Sequence, residues 1–129
     1  MSAGQRRKDR PLEWYLSGLC LAWGVALIFG WPGAPDTAAP AVIGAISITL
    51  GAAHMAALAA NGSISWTPIA RLALTSATAG LYAWIAADLA QTGAPGAAGV
   101  QIYWSLGFLW CAYVAGLDVA RMRLGTYGL

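Results

Sequence analysis

Charge is what this chain has least of. Lys, Arg, Asp and Glu together make up 9% of its 129 residues, against about 25% in an ordinary soluble domain. A soluble domain of this length needs more polar surface than seven cations and five carboxylates supply. Cysteine is scarce too. Cys20 and Cys111 both sit in apolar runs, unlike the paired, loop-borne cysteines of a secreted disulfide scaffold. Histidine occurs once, as His54. The chain has no CxxC, no HExxH, no Gly-rich phosphate loop and no nucleophile–base pair. We therefore expect no enzyme, no catalytic residue and no cofactor.

What is present points to lipid. Hydrophobic residues make up 59% of the chain, and sixteen residues are glycine. Membrane helices tolerate glycine and use small residues for close packing. Four apolar segments stand out, at 12–31, 41–60, 68–90 and 97–120. Each is close to the roughly 20 residues that cross a bilayer as a helix. In lipid the backbone must satisfy its own hydrogen bonds, so the expected class is an all-α membrane protein. The breaks are well marked: "WPGAPDTAAP", "NGSISWTP" and "QTGAPG". Thr67 before Pro68 reads as a hydroxyl cap followed by proline at the first helical position. Connections this short predict four antiparallel helices in one domain, 12–123. A basic arm (1–11) precedes it and a short tail (124–129) follows.

The cations set an orientation. Arg6, Arg7, Lys8 and Arg10 precede the first segment, Arg71 sits one turn into the third, and Arg121 and Arg123 follow the fourth. With four spans these positions share one side, and the positive-inside rule puts both termini in the cytoplasm of a bacterial inner membrane. These seven residues are read as topology and lipid contacts, not as a nucleic-acid patch. The basic start could also open a signal peptide. The apolar run is long for one, and Pro40 after Thr37-Ala38-Ala39 is poor for cleavage, so it is read as an anchor.

Arg71 is expected to snorkel to the interface. Trp14, Tyr15 and Trp66 are expected at the inner interface, and Trp31, Tyr82, Trp84, Tyr103 and Trp104 near the outer one. Trp23, Trp110 and Tyr113 are expected to pack between helices.

Small residues recur at four-residue spacing on one face of the first span: Gly18, Ala22, Ala26 and Gly30. Such a face lets a second helix approach closely, so it is the candidate packing and self-association surface. Whether the partner is a helix of this chain or of another copy is open.

His54 and Asp88 are the candidate intramembrane polar site. Cys20, His54 and Cys111 fall at a similar depth, yet three such ligands are one short of the usual structural zinc set, so no metal is expected. A proton relay through His54 is weakened because no carboxylate is expected at its depth. The favoured reading is a neutral His54 bonded to a facing Ser, Thr or carbonyl, such as Thr75 or Ser76. Asp88 is expected in the outer headgroup layer. Asp118 and Arg121, three apart, are expected to pair locally, and Glu13 to pair with the basic arm. No paired intramembrane charges are expected.

"RPLEW" at Arg10–Trp14, "AWG" at Ala22–Gly24, and "NG" and "WTPIAR" at Asn61–Gly62 and Trp66–Arg71 together resemble a group of small four-span membrane proteins of tailed phages and prophages of Gram-negative bacteria. The resemblance covers most of the chain, from Arg10 to about Arg123. In that group an arginine often stands near the position of His54, which implies no strict catalytic role there. It also implies holin-like character: lateral self-association and timed opening of the inner membrane. Four spans are many for a holin, and "RMRLGTYGL" is a weakly basic tail. Two rivals stand beside it: an accessory subunit packed against a larger membrane complex, and a small ion or solute transporter using Asp88 and His54.

Overall fold

A computed structural model of the protein describes residues 10–30, 39–60 and 64–124. Within them the chain forms four α-helices: α1 (Pro11–Ile28), α2 (Pro40–Ala59), α3 (Thr67–Gln91) and α4 (Pro95–Arg123). All four are long and apolar enough to cross a membrane. Arg6, Arg7 and Lys8 of the basic arm, residues 31–38 and 61–63 of the first two connections, and 125–129 of the tail lie outside the described residues.

Each helix opens on proline in its first turn. Proline lacks the amide hydrogen that would be orphaned there, and its φ already suits the helix. None of the four has a side-chain N-cap. The expected Thr67 cap is corrected: Thr67 is the first helical residue, and its hydroxyl donates to the Ile64 carbonyl at 3.0 Å. At the other end of α3, Gly93 adopts φ +85° and the Ala94 amide reaches back to the Leu89 carbonyl at 2.9 Å. This six-residue closure needs a left-handed residue, which glycine supplies without strain. Gly30, with φ +61°, lies just beyond α1 in the same way. It is therefore a helix stop and not the fourth member of the Gly18 face.

The closest packing is α1 on α2 and α3 on α4. In the first pair, other glycines than the predicted ones make the approach. A Cβ on Gly24 would stand 2.6 Å from the Gly44 carbonyl oxygen, and one on Gly51 2.9 Å from that of Ser17. Nothing lies within 4 Å of a Cβ built on Gly18. Ala22 is exposed and Ala26 half-buried, so the Gly18–Ala22–Ala26 face points away from the bundle. In the second pair the Ser105 hydroxyl donates to the Ala79 carbonyl at 2.9 Å.

Rings fill the interior between the pairs. Phe108 lies 6.3 Å from His54 and stacks on Tyr82 at 5.8 Å; Tyr82 meets Trp104 edge-on at 5.2 Å, and Trp104 meets Trp23 edge-on at 5.5 Å. Edge-to-face and offset contacts suit the ring quadrupoles. Tyr82 is therefore a core residue and not an outer anchor. Trp110 and Tyr113 are the reverse: both are 58% exposed and lean on each other at 5.6 Å on the outside of α4. Their place between helices is taken by Cys111, Ala112 and Ala115, which are buried.

Candidate functional site: a buried ion cluster joining four helices

The polar residues of the bundle meet at one end of it. Glu13 is in the first turn of α1, Arg71 is one turn into α3, and His54 and Asp118 are each about a turn and a half from the ends of α2 and α4. Their positions in the sequence are far apart; the folded helices bring them to one place.

Glu13 is the hub. Its carboxylate accepts from Arg71 twice, Nε to Oε2 at 2.9 Å and Nη2 to Oε1 at 2.6 Å. This two-pronged geometry is the strong form of the Arg–carboxylate contact. Arg10 Nη1 adds a third bond to Oε1 at 2.8 Å. His54 Nε2 faces Oε2 at 3.3 Å. Asp118 Oδ2 is the second acceptor: Arg71 Nη1 donates to it at 3.1 Å, and Arg10 Nη2 donates to it as well. Arg121 approaches the other oxygen, Oδ1, at 3.7 Å. Burial opposes the charge on Arg10, but Glu13 and Asp118 outweigh it and raise its pKa above the usual arginine value.

Arg71 is fully buried. The snorkelling expectation is thus corrected. The Arg71 guanidinium is held by two carboxylates inside the bundle, Glu13 and Asp118. Paired charges are buried inside the helix bundle, where none were expected. The local Asp118–Arg121 pair is present but secondary, since the main partners of Asp118 come from α3 and the chain before α1. Glu13 does pair with the basic arm, through Arg10, but its strongest tie is to Arg71.

His54 is buried here and bonds a serine of a facing helix, as expected, but that residue is Ser17 and not Thr75 or Ser76. The Thr75 hydroxyl donates to the Arg71 carbonyl of its own helix at 2.7 Å, and Ser76 is exposed. The actual partners of His54 are on α1: Ser17 Oγ, 2.8 Å from Nδ1, and Glu13. The cause is the Gly51 contact, which seats α2 against the α1 backbone at Ser17 and brings the next turn of α2 over Glu13. A carboxylate does share the depth of His54, contrary to expectation.

Asp88 does not join this site. It lies seventeen residues beyond Arg71 on the same helix, about 25 Å along the axis. It is half-buried, and its main-chain carbonyl accepts from the Thr92 amide at 3.0 Å. Cys20 is buried and free, and its thiol donates to the Ser47 carbonyl at 3.2 Å; Cys111 is also buried and free. Among the described residues no group of three or more His, Cys, Asp or Glu is placed to hold a metal ion.

Such a cluster suits two tasks. It favours the helix arrangement that pairs these charges, because a charge left without a partner in an apolar interior is costly. It also holds one imidazole against a carboxylate and a hydroxyl, the setting in which a proton can be gained or lost. Comparison with protein-family models, curated proteins and solved structures gives no match for this chain.

Proposed function

We propose that this chain is a small, non-enzymatic, multi-pass protein of the bacterial inner membrane that acts by self-association in the bilayer, in the manner of a phage holin. Its four helices run antiparallel with both ends in the cytoplasm. The observation that carries the reading is the segregation of polarity. The buried charges close on one another inside one end of the bundle, and much of the outside is apolar, including the small-residue face of α1. Lipid offers no hydrophobic drive between helices, so a face where backbones can approach is where copies would meet. Arg10, Arg71, Arg121 and Arg123 share one end of the bundle, which supports the cytoplasmic assignment. The phage-protein resemblance supports the holin-like character.

The test is timed expression in a Gram-negative host, following culture density and a membrane-potential dye together. A delayed, sudden collapse of potential, with lysis only when a muralytic enzyme is co-expressed, is expected. The double variant Gly18→Leu/Ala26→Leu should lose both the collapse and the cross-linked oligomer. A stable potential at high expression of the parent chain sinks the proposal, and co-purification would then search for the larger complex of an accessory subunit. One observation favours a second reading, that of a small ion or solute transporter: the buried charge cluster around His54. It predicts a graded loss of potential that rises with expression from the start.

A further inference from the structure

The contacts of Ser17 and His54 are all made at once when the imidazole is charged, and all but one are made when it is neutral. The Ser17 hydroxyl carries one hydrogen and stands 2.7 Å from the Glu13 main-chain carbonyl and 2.8 Å from His54 Nδ1. It can donate to one of them only. On the far side of the ring, Nε2 faces the Glu13 carboxylate. An ionised carboxylate only accepts, so Nε2 carries a hydrogen in either case. Two arrangements remain. In the first, Ser17 donates to Nδ1 and the imidazole is neutral. In the second, Ser17 donates to the Glu13 carbonyl, Nδ1 carries a second hydrogen and donates to Ser17 Oγ, and the ring is an imidazolium.

We propose that His54 is a proton-binding site of the bundle and that the Ser17 hydroxyl is the pivot that lets it fill and empty. On filling, the incoming proton binds the Nδ1 lone pair. The Ser17 hydroxyl turns its hydrogen from Nδ1 to the Glu13 carbonyl, and its oxygen accepts from Nδ1. Both ring nitrogens keep a hydrogen-bond partner in both states, and emptying the site gives up only the bond from Ser17 to the Glu13 carbonyl. The Glu13 carbonyl keeps its helical amide partner throughout, and Nε2 donates to Glu13 Oε2 throughout.

The surroundings act on the added proton in both directions. Facing the ring from α1 are Glu13 and Ser17. Arg71 stands behind the Glu13 carboxylate on α3, and Arg10 and Asp118 complete the cluster, with Arg121 at its edge. On α4 the Phe108 ring covers His54 at 6.3 Å, and the Cys111 thiol is within electrostatic reach of Glu13 and Arg71. Arg10 and Arg71 balance Glu13 and Asp118 when the imidazole is neutral. The added proton gains the Glu13 carboxylate and meets the repulsion of two guanidinium groups. The inference stands on the cluster alone and does not depend on self-association.

The experiment uses the single histidine of the chain. The full chain, with 15N-labelled histidine, is placed in lipid bilayers, and its ring nitrogens are followed by NMR from pH 5 to pH 8. The expected result is a reversible change from both nitrogens protonated at low pH to the neutral form with hydrogen on Nε2 at high pH. Ser17→Ala removes the acceptor of the second hydrogen and should weaken proton binding about tenfold, which is the loss of one charge-assisted hydrogen bond. A ring that keeps one form across the range, charged or neutral, overturns the proposal. So does a neutral form with hydrogen on Nδ1, or a Ser17→Ala chain that titrates like the parent.

Discussion

At the end of the bundle where α1 begins, Glu13, His54, Arg71 and Asp118 join four helices through ion pairs and the His54–Glu13 hydrogen bond. At the end where α1 finishes, Leu27, Ile43, Ile85, Leu89 and Ala98 are buried, and α1 meets α2 at Gly24 and Gly44. Every long-range arginine–carboxylate pair among the described residues belongs to the first end. The difference separates two jobs that a soluble core does at once. In lipid, apolar faces are as content with acyl chains as with one another, so they do not select a partner. Charges do select, because each is costly until it meets its own complement. The packed end then sets how closely the helices approach.

The largest effect should come from breaking the charged end on one side only. Arg71→Met leaves Glu13 and Asp118 buried without their main cation. A loss of about 3–5 kcal/mol is expected, the usual cost of removing one partner of a buried pair. Reversible unfolding in mixed micelles would measure it. The comparison is sharpened by adding Glu13→Leu and Asp118→Leu to the same chain. If the cluster serves selection more than stability, the triple variant should recover much of the loss yet show a less uniform set of helix–helix cross-links. A single variant as stable as the parent would mean that the charges find water or lipid headgroups instead.

Next in size is the packed end. A Cβ on Gly44 would lie 2.7 Å from the Gly24 carbonyl oxygen and 2.8 Å from Ile28 Cγ1. Backbone cannot retreat as a flexible side chain does, so Gly44→Leu must push α1 and α2 apart. A loss of about 1–3 kcal/mol is expected, in the range of overpacked cores. The same unfolding assay reads it. The His54–Glu13 contact, at the other end of the α1–α2 pair, should survive, and the ring-nitrogen spectrum would report it unchanged.

This contrast also explains what could be read from the residues. The spans were legible: 12–31, 41–60, 68–90 and 97–120 against observed helices from Pro11, Pro40, Thr67 and Pro95. Hydropathy and proline are local signals, and they suffice for helices that need no partner to satisfy their backbone. The cluster was not legible from depth alone. Arg71 lies one turn inside its span, where a lone arginine does reach the interface. Its fate depends on Glu13, fifty-eight residues away. A signal did exist: with four spans, Glu13, His54, Arg71 and Asp118 all fall within two turns of the same membrane face. The small-residue face of α1 does not mark the packing inside this chain, for a related reason. Four-residue spacing finds a groove on one helix, whereas Gly24, Gly44 and Gly51 matter because of the helix each one faces.

The smallest effect should come from Arg121, and it tests where the cluster ends. Its side chain is 66% exposed and stands 3.7 Å from Asp118 Oδ1, while Arg71 and Arg10 hold Oδ2. An exposed pair of this kind gains little over hydration and is screened by salt. Arg121→Ala should therefore change stability by less than about 0.5 kcal/mol, with the difference vanishing at high ionic strength. Asp118→Ala in the same assay should cost several times more, because it leaves the buried guanidinium of Arg71 with one carboxylate in place of two. If the two variants proved equally mild, Asp118 would belong to the surface with Arg121, and the cluster would reduce to Glu13, Arg10, Arg71 and His54. If they proved equally severe, the cluster would extend outward to Arg121, and the charged end of the bundle would hold three cations instead of two.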